Sequence, residues 1–229
     1  MNMNELRRDF NNHRGTYMIT VLVTAVWLWQ FFSTQGNPTL GINLLNAGAL
    51  WNPSIIQNHE FWRLFTALFI HIGWTHFAMN TLTIFFIGRQ VEQIFGTRNY
   101  LIVYVLSGIF GNAMVFWLAP NVLSAGASTS IFGTFAALAA LGYFTKDRIL
   151  RQIGQSYLVL IIVNLVLNLF DLAHVSIWSH VGGALGGIAL ALIFVPNQFA
   201  SQLKMSTRIT AAVVFLIALA LFITLPFLV

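Results

Sequence analysis

Gly126-Ala127-Ser128-Thr129-Ser130-Ile131-Phe132-Gly133 is a stretch of small residues that leads directly into an apolar run ending at Phe144. Glycines beside a serine allow a tight turn that presents the hydroxyl as a nucleophile. Small residues are equally common where membrane helices pack closely, so for this stretch taken alone both interpretations stay open. Its meaning depends on where the histidines of the chain lie relative to the turn.

The composition of the chain is that of an integral membrane protein. Of its 229 residues, 58% are hydrophobic and only 7% are charged, and the mean hydropathy is +0.78. Soluble domains carry about 25% charged residues. The net charge of +5 comes from Lys and Arg spread singly between apolar runs, which argues against nucleic acid as a partner. The chain has no cysteine, which excludes disulfides and thiolate chemistry.

Apolar runs long enough to cross the hydrocarbon region recur along the chain and predict an all-α membrane helix bundle. We expect seven transmembrane helices, at about 16–32, 74–94, 99–119, 127–144, 152–170, 177–195 and 208–227. The long connection 33–73 is rich in aromatic residues, so parts of it should lie in the membrane interface. Residues 1–15 are polar and basic, and no cleavage pattern follows the first run, which predicts an uncleaved helix.

The basic residues predict the orientation of these helices, because Lys and Arg concentrate on the cytoplasmic side. With the N-terminus inside and the C-terminus outside, only Arg63 falls on the outer side. The inner side then holds all the other basic residues: Arg7, Arg8, Arg14, Arg89, Arg98, Lys146, Arg148, Arg151, Lys204 and Arg208.

In this topology four polar residues fall at the same outer depth on three different helices. Ser128 begins one inward-running span, His180 lies in the first turns of another, and His76 and Asn80 share a face of a third. Polar groups at membrane depth usually face a partner or a water-filled cavity. A hydroxyl, a base and an amide donor together meet the needs of acyl transfer.

Each of these signals also has a structural interpretation. A lone histidine in a membrane is often a packed or hydrogen-bonded residue, and the pair His76 and Asn80 could link helices. Gly183 and Gly187 have the G-x-x-x-G spacing that lets a helix approach its neighbour closely. That spacing would bring the helix of His180 near the helix of Ser128, yet by itself it indicates only packing. The agreement in depth is what favours a catalytic site.

The motifs are similar to those of the rhomboid family of intramembrane serine proteases, from about Phe61 to Phe194. Gly126-Ala127-Ser128-Thr129 resembles the family's G-x-S-G motif, and His76 to Asn80 resembles its H-x-x-x-N motif. The other matching residues, in chain order, are the pair Trp62 and Arg63, His71, the run Gly88, Glu92 and Gly96, and His180 with Gly183 and Gly187.

The resemblance implies a dyad in which Ser128 is the nucleophile and His180 the general base. It implies an oxyanion site formed by His76, Asn80 and the backbone N–H of Ser128, supported by Gly126 and Phe132. Substrates would be membrane proteins cut in or near a transmembrane segment, with no cofactor and no metal. The expected location is a bacterial plasma membrane, with the site toward the extracytoplasmic side. Residues 1–229 would form one domain, with a six-helix core at about 16–196 and an added helix at about 208–227.

Two positions depart from the family pattern. Thr129 stands where the serine motif usually has glycine, and Phe132 stands where tyrosine often stacks on the histidine. Neither departure removes a catalytic group, so we expect an active enzyme. Asp171 is interpreted as a loop residue, because the family works with a dyad, and Glu92 and Arg89 as structural residues that hydrogen-bond to neighbouring loops.

Two other functions remain as alternatives. The first is a catalytically silent relative that binds membrane clients, although such proteins generally lack the serine or the histidine. The second is a transporter that uses His71, His76, His174 and His180. The transporter would leave the glycines around Ser128 unexplained, and the histidines have no carboxylate partner at membrane depth.

Overall fold

The computed structural model describes residues 2–168 and 176–228, and across these residues the chain is α-helical with no β-strand. This confirms the predicted all-α fold. The α-helices are α1 Met3–Asn12, α2 Arg14–Ser33, α3 Gly41–Ala47, α4 Asn52–Asn58, α5 Arg63–Thr66, α6 Gly73–Leu118, α7 Ser128–Phe144, α8 Arg148–Asn168, α9 Ile177–Ile193 and α10 Met205–Thr224. Short 3₁₀ turns follow α9 and α10, at Asn197–Gln202 and Leu225–Phe227.

Four helices, α2, α6, α8 and α10, are long and apolar enough to cross a membrane. Helices α7 and α9 are also apolar and have 17 residues each, which is the lower limit for a span. Helix α6 has 46 residues and is interrupted at Gly96, where φ is 74° and ψ is 157°. Its two halves correspond to two of the predicted spans, so the described chain contains the seven apolar helical segments expected. The sequence predicted a connection of several residues between these two spans, whereas in the structure the interruption is at Gly96 alone.

Helix α7 lies at the centre of the bundle. Most of its residues are buried, and it packs against α6, α8 and α9. A helix that is apolar on all sides is expected in the interior, and the small residues Gly133, Ala136 and Ala137 allow close neighbours. Helix α10, by contrast, lies at the periphery, where it packs on α9 and α6 with most of its surface exposed.

The connection between α2 and α6 is more ordered than the sequence indicated. It contains the three short helices α3, α4 and α5, and it packs on the C-terminal half of α6. The side-chain amide of Asn112 on α6 donates to the carbonyl of Leu64 at 2.9 Å, and that of Asn52 donates to the carbonyl of Phe116. These bonds attach the connection to the end of α6 that leads toward Ser128.

Candidate active site

Ser128 is the first residue of α7, and the turn before it is held by backbone hydrogen bonds to the long connection. Leu50 and Ser124 exchange two such bonds, at 2.8 and 3.0 Å, and the N–H of Gly126 donates to the carbonyl of Ala67 at 2.9 Å. Gly126 has a φ of +136°, which L-residues with a side chain rarely adopt. The position of the serine therefore depends on chain segments more than 50 residues earlier.

The hydroxyl of Ser128 lies 2.9 Å from Nε2 of His180, which is within hydrogen-bond distance. His180 stands in the first turn of α9 and is 4% exposed. The two helices approach closely because α9 presents glycines to α7. A Cβ at Gly183 would collide with the carbonyl oxygen of Thr129, and one at Gly187 would collide with the backbone of Gly133.

The imidazole of His180 is also held by an aromatic contact. Its ring stacks on that of Phe132, with 4.0 Å between the centroids and 3° between the planes. Phe132 is one helical turn after Ser128 on α7 and is itself buried. One helix thus carries both the serine and the ring against which the histidine rests.

His76 and Asn80 reach the same place from the first two turns of α6. The N–H of Ile72 donates to Nδ1 of His76 at 3.3 Å, which puts the ring proton of a neutral imidazole on Nε2. His76 packs against the serine turn, because a Cβ at Gly126 would lie 2.8 Å from Nε2 of His76. The side-chain amide nitrogen of Asn80 is buried and has no hydrogen-bond partner within residues 2–168 and 176–228.

These side chains line a cavity of about 400 Å³. Its wall is formed by residues of α6, α7, α8 and α9: His76, Met79, Asn80, Thr83, Ile87, Ser128, Ile131, Phe132, Phe135, Leu160, Asn164 and His180. Met79 and Leu160 are exposed, so the cavity reaches the outer surface of the bundle between α6 and α8. The structure thus brings Ser128, His180, His76 and Asn80 to one cavity.

One buried residue near the site was missed by sequence reasoning. Gln30 of α2 is fully buried, and its amide donates to the carbonyl of His71 at 2.8 Å and accepts from the N–H of His71 at 3.1 Å. It therefore holds the segment that leads into His76. A glutamine inside an apolar run was the available signal, since buried polar side chains require partners.

The pair Trp62 and Arg63 organises the long connection rather than the cavity. The guanidinium of Arg63 donates to the carbonyls of Leu45 and Ala49 at 2.7 and 2.8 Å and forms an ion pair with Glu60 at 2.5 Å. It also lies 4.5 Å from the centroid of the Trp62 ring. The buried guanidinium of Arg63 therefore has hydrogen-bond acceptors, which a buried charge requires.

The run Gly88, Glu92 and Gly96 joins α6 to the start of α2. The carboxylate of Glu92 is 2% exposed and accepts from the N–H groups of Gly15 and Thr16 and from the hydroxyl of Thr16, each at 2.8 Å. It therefore caps the N-terminus of α2, where an anion is favoured. The sequence suggested bonds to loops, whereas the partners are the first turn of a helix and the hydroxyl of Thr97, 2.6 Å away.

Arg89 lies at the same end of the bundle. Its guanidinium donates to the hydroxyl of Tyr17 at 2.8 Å and forms an ion pair with Asp9 at 3.2 Å.

Asp171 and His174, which entered the sequence-based alternatives, lie outside the described residues.

Residues 58–197 match the model of the Rhomboid domain. The chain belongs to the rhomboid family. The matched region contains all the residues of the cavity and all the motif residues named above. Helix α10 follows the matched region and lies outside it.

Rhomboid relatives occur in bacteria and in plants. The chain is 34% identical to the rhomboid protease GluP of Bacillus subtilis over 212 residues, covering 92% of this chain and 40% of GluP. It is 33% identical to RHOMBOID-like protein 1 of Arabidopsis thaliana over 168 residues, covering 72% of this chain and 43% of that protein. It is 28% identical to YdcA of Bacillus subtilis, of which it covers 95%. The chain therefore spans less than half the length of GluP.

Proposed function

We propose that this rhomboid is an intramembrane serine endopeptidase that cleaves membrane-protein substrates with a Ser128–His180 dyad. The observation that carries the proposal is the 2.9 Å distance between Oγ of Ser128 and Nε2 of His180. A serine hydroxyl becomes an effective nucleophile when an adjacent base accepts its proton. The histidine is held for that task by the ring of Phe132 on one face.

In the first step His180 takes the hydroxyl proton while Oγ of Ser128 attacks the carbonyl carbon of the scissile peptide. The carbonyl oxygen becomes an oxyanion, which needs preorganised donors. Three donors are suited to this role: the amide of Asn80, the Nε2–H of His76 and the backbone N–H of Ser128. The last of these belongs to the first residue of α7, and N–H groups at a helix start have no acceptor within the helix.

The protonated His180 then gives its proton to the departing amine, and the peptide C–N bond breaks to leave an ester at Ser128. A water molecule attacks this ester while His180 accepts one of its protons. The ester bond breaks, the proton returns to Oγ of Ser128, and the product carboxylic acid leaves. The same imidazole serves as base and acid in turn.

The surroundings of the dyad support the proposed substrate class. The cavity reaches the lipid-facing surface beside Met79 and Leu160, so a membrane-spanning segment can approach it laterally. Hydrolysis needs water, and the distribution of basic residues supports a position of the first turns of α6 and α9 near the outer membrane surface. We therefore propose cleavage on the extracytoplasmic side, as expected for a bacterial plasma membrane protein.

Labelling with a fluorophosphonate, followed by mass spectrometry of the adduct, tests the activated serine. We expect an adduct at Ser128 that disappears in Ser128→Ala and in His180→Ala. Ser130→Ala is the matched control, since this buried serine is two residues away and has no part in the chemistry. A folded protein without an adduct at Ser128 would contradict the proposal and favour a client-binding rhomboid without catalysis. Cleavage of a single-span model substrate by the wild type, and not by Ser128→Ala, tests the endopeptidase activity directly.

A further inference from the structure

Helix α1 precedes the first span and leaves every one of its residues outside the core of the bundle. It is a well-formed helix, because Asn2 and Glu5 make a reciprocal capping box, with side chain to backbone distances of 2.8 and 2.9 Å. The sequence predicted only a polar, basic segment here.

The apolar residues of α1 form one stripe. Met3, Leu6 and Phe10 are spaced by three and four residues, which places them on the same face, and they are 79%, 42% and 50% exposed. The ring of Phe10 lies 5.4 Å from that of Tyr17 at the start of α2. The stripe is therefore continuous with the surface of the first membrane span.

The orientation of α1 relative to the bundle is set by Asp9. Its carboxylate accepts from the hydroxyl of Tyr17 at 2.5 Å, pairs with Arg89 of α6 at 3.2 Å and lies 3.0 Å from Nδ1 of His13. His13 is the one residue between α1 and α2. The short link and these three side-chain contacts fix the orientation of α1 relative to α2 and α6.

The arginine beside the apolar stripe of α1 complements an anionic surface. Arg7 is four residues after Met3 and three before Phe10, so it borders the apolar stripe. The acidic residues of α1 are engaged, Glu5 in the capping box and Asp9 with Arg89. Arg7 and Arg8 form no ion pair with any part of the chain that the structure describes.

We propose that α1 is an interfacial helix that binds anionic phospholipid. Its stripe of Met3, Leu6 and Phe10 inserts at the boundary between headgroups and acyl chains, and Arg7 interacts with the phosphate groups. An amphipathic helix with a basic residue beside its apolar face is suited to this position. The proposal is independent of the Ser128–His180 dyad and of the activity proposed above.

The test uses the full-length chain in lipid nanodiscs and exploits the absence of native cysteine. A polarity-sensitive fluorophore is attached at Leu6→Cys, on the stripe, and at the control position Asn4→Cys, on the polar side. The discs contain either phosphatidylcholine alone or an equal mixture with phosphatidylglycerol. Quenching by acrylamide, which is uncharged, reports access from water.

In discs with phosphatidylglycerol we expect several-fold weaker quenching at position 6 than at position 4. Arg7→Gln should abolish most of this difference, whereas Arg7→Lys should retain it. Equal quenching at the two positions overturns the proposal. So does protection that is the same in both lipids and insensitive to the arginine changes. Protection that appears only after a soluble cell extract is added would assign the stripe to a protein partner instead.

Discussion

The rings of Phe132 and His180 lie face to face, 4.0 Å apart and 3° from parallel, although the two residues are 48 positions apart in the chain. The contact joins α7 to α9 next to the 2.9 Å link between Ser128 and His180. An aromatic residue at position 132 thus limits the orientations open to the proposed base.

Replacing Phe132 tests this positioning. Phe132→Leu keeps most of the buried volume but removes the stacked ring, a contact worth about 1 kcal/mol, so kcat should fall about fivefold. Phe132→Tyr keeps the stacked ring and should retain nearly full kcat. The measurement is cleavage of a single-span model substrate, and an unchanged kcat for Phe132→Leu would show that the stack does not position His180.

Asn80 tests the proposed oxyanion site. Asn80→Ala should lower kcat by at most about a hundred- to thousandfold, because one donor is lost while two remain. The double change with His76→Ala should reduce it further. Thr83→Ala, one turn later in the same cavity, is the control and should leave kcat almost unchanged. Full activity of Asn80→Ala would remove Asn80 from the proposed mechanism.

Gly187 tests the closeness of α7 and α9. A methyl group at this position meets the backbone of Gly133, so Gly187→Ala should force the helices apart and cost about 1 to 3 kcal/mol of stability. Because the separation also lengthens the Ser128–His180 distance, fluorophosphonate labelling should decrease. Gly41→Ala is the control, since the nearest atom to a Cβ at this position would be 3.8 Å away, an ordinary van der Waals contact. Wild-type labelling and thermal stability for Gly187→Ala would contradict the packing argument.

Glu92 is expected to act on stability without contact with the dyad. Glu92→Gln places an amide donor among groups that themselves donate, so the free energy of unfolding should fall by about 1.5 to 3 kcal/mol. Thr97→Val removes only one of the four bonds to the carboxylate and should have a smaller effect. Thermal denaturation in detergent measures both. If Glu92→Gln and the wild type had the same midpoint temperature of unfolding, the cap of α2 by Glu92 would be dispensable for stability.

The attachment of α1 should depend on pH. The hydrogen bond from Tyr17, aided by the charges of Arg89 and His13, lowers the pKa of Asp9 below its ordinary value. A carboxyl with a lowered pKa in the folded state favours the attached form of α1 above its ordinary pKa of about 4, and this preference is lost as the pH falls toward the lower value.

Hydrogen exchange of the α1 amides measures this attachment. In the wild type, protection should decrease as the pH is lowered below about 4, once the intrinsic pH dependence of exchange is subtracted. Asp9→Asn has no ionisable group at this position and should show lower protection that does not change over the same range. An identical pH response in the variant would exclude Asp9 as its source.

Local sequence patterns predicted much of this protein. The apolar runs marked the seven apolar helical segments, because hydrophobic length is a property of neighbouring residues, and family membership confirmed the rhomboid resemblance seen in the motifs. The order of the spans alone predicted a common depth for Ser128, His180, His76 and Asn80. It predicted which residues would share a level in the membrane, without stating which of them are in contact.

The tertiary structure alone decided the contacts between distant segments. Glu92 caps a helix that begins 78 residues earlier, at Arg14. Gln30 holds the backbone of His71, and the bridge between Leu50 and Ser124 anchors the turn before Ser128. The reason is physical: a buried polar group must find a partner, but hydropathy and spacing say nothing about which distant backbone will supply it. The helices follow from local composition, whereas the distances within the site follow from packing and from hydrogen bonds between remote parts of the chain.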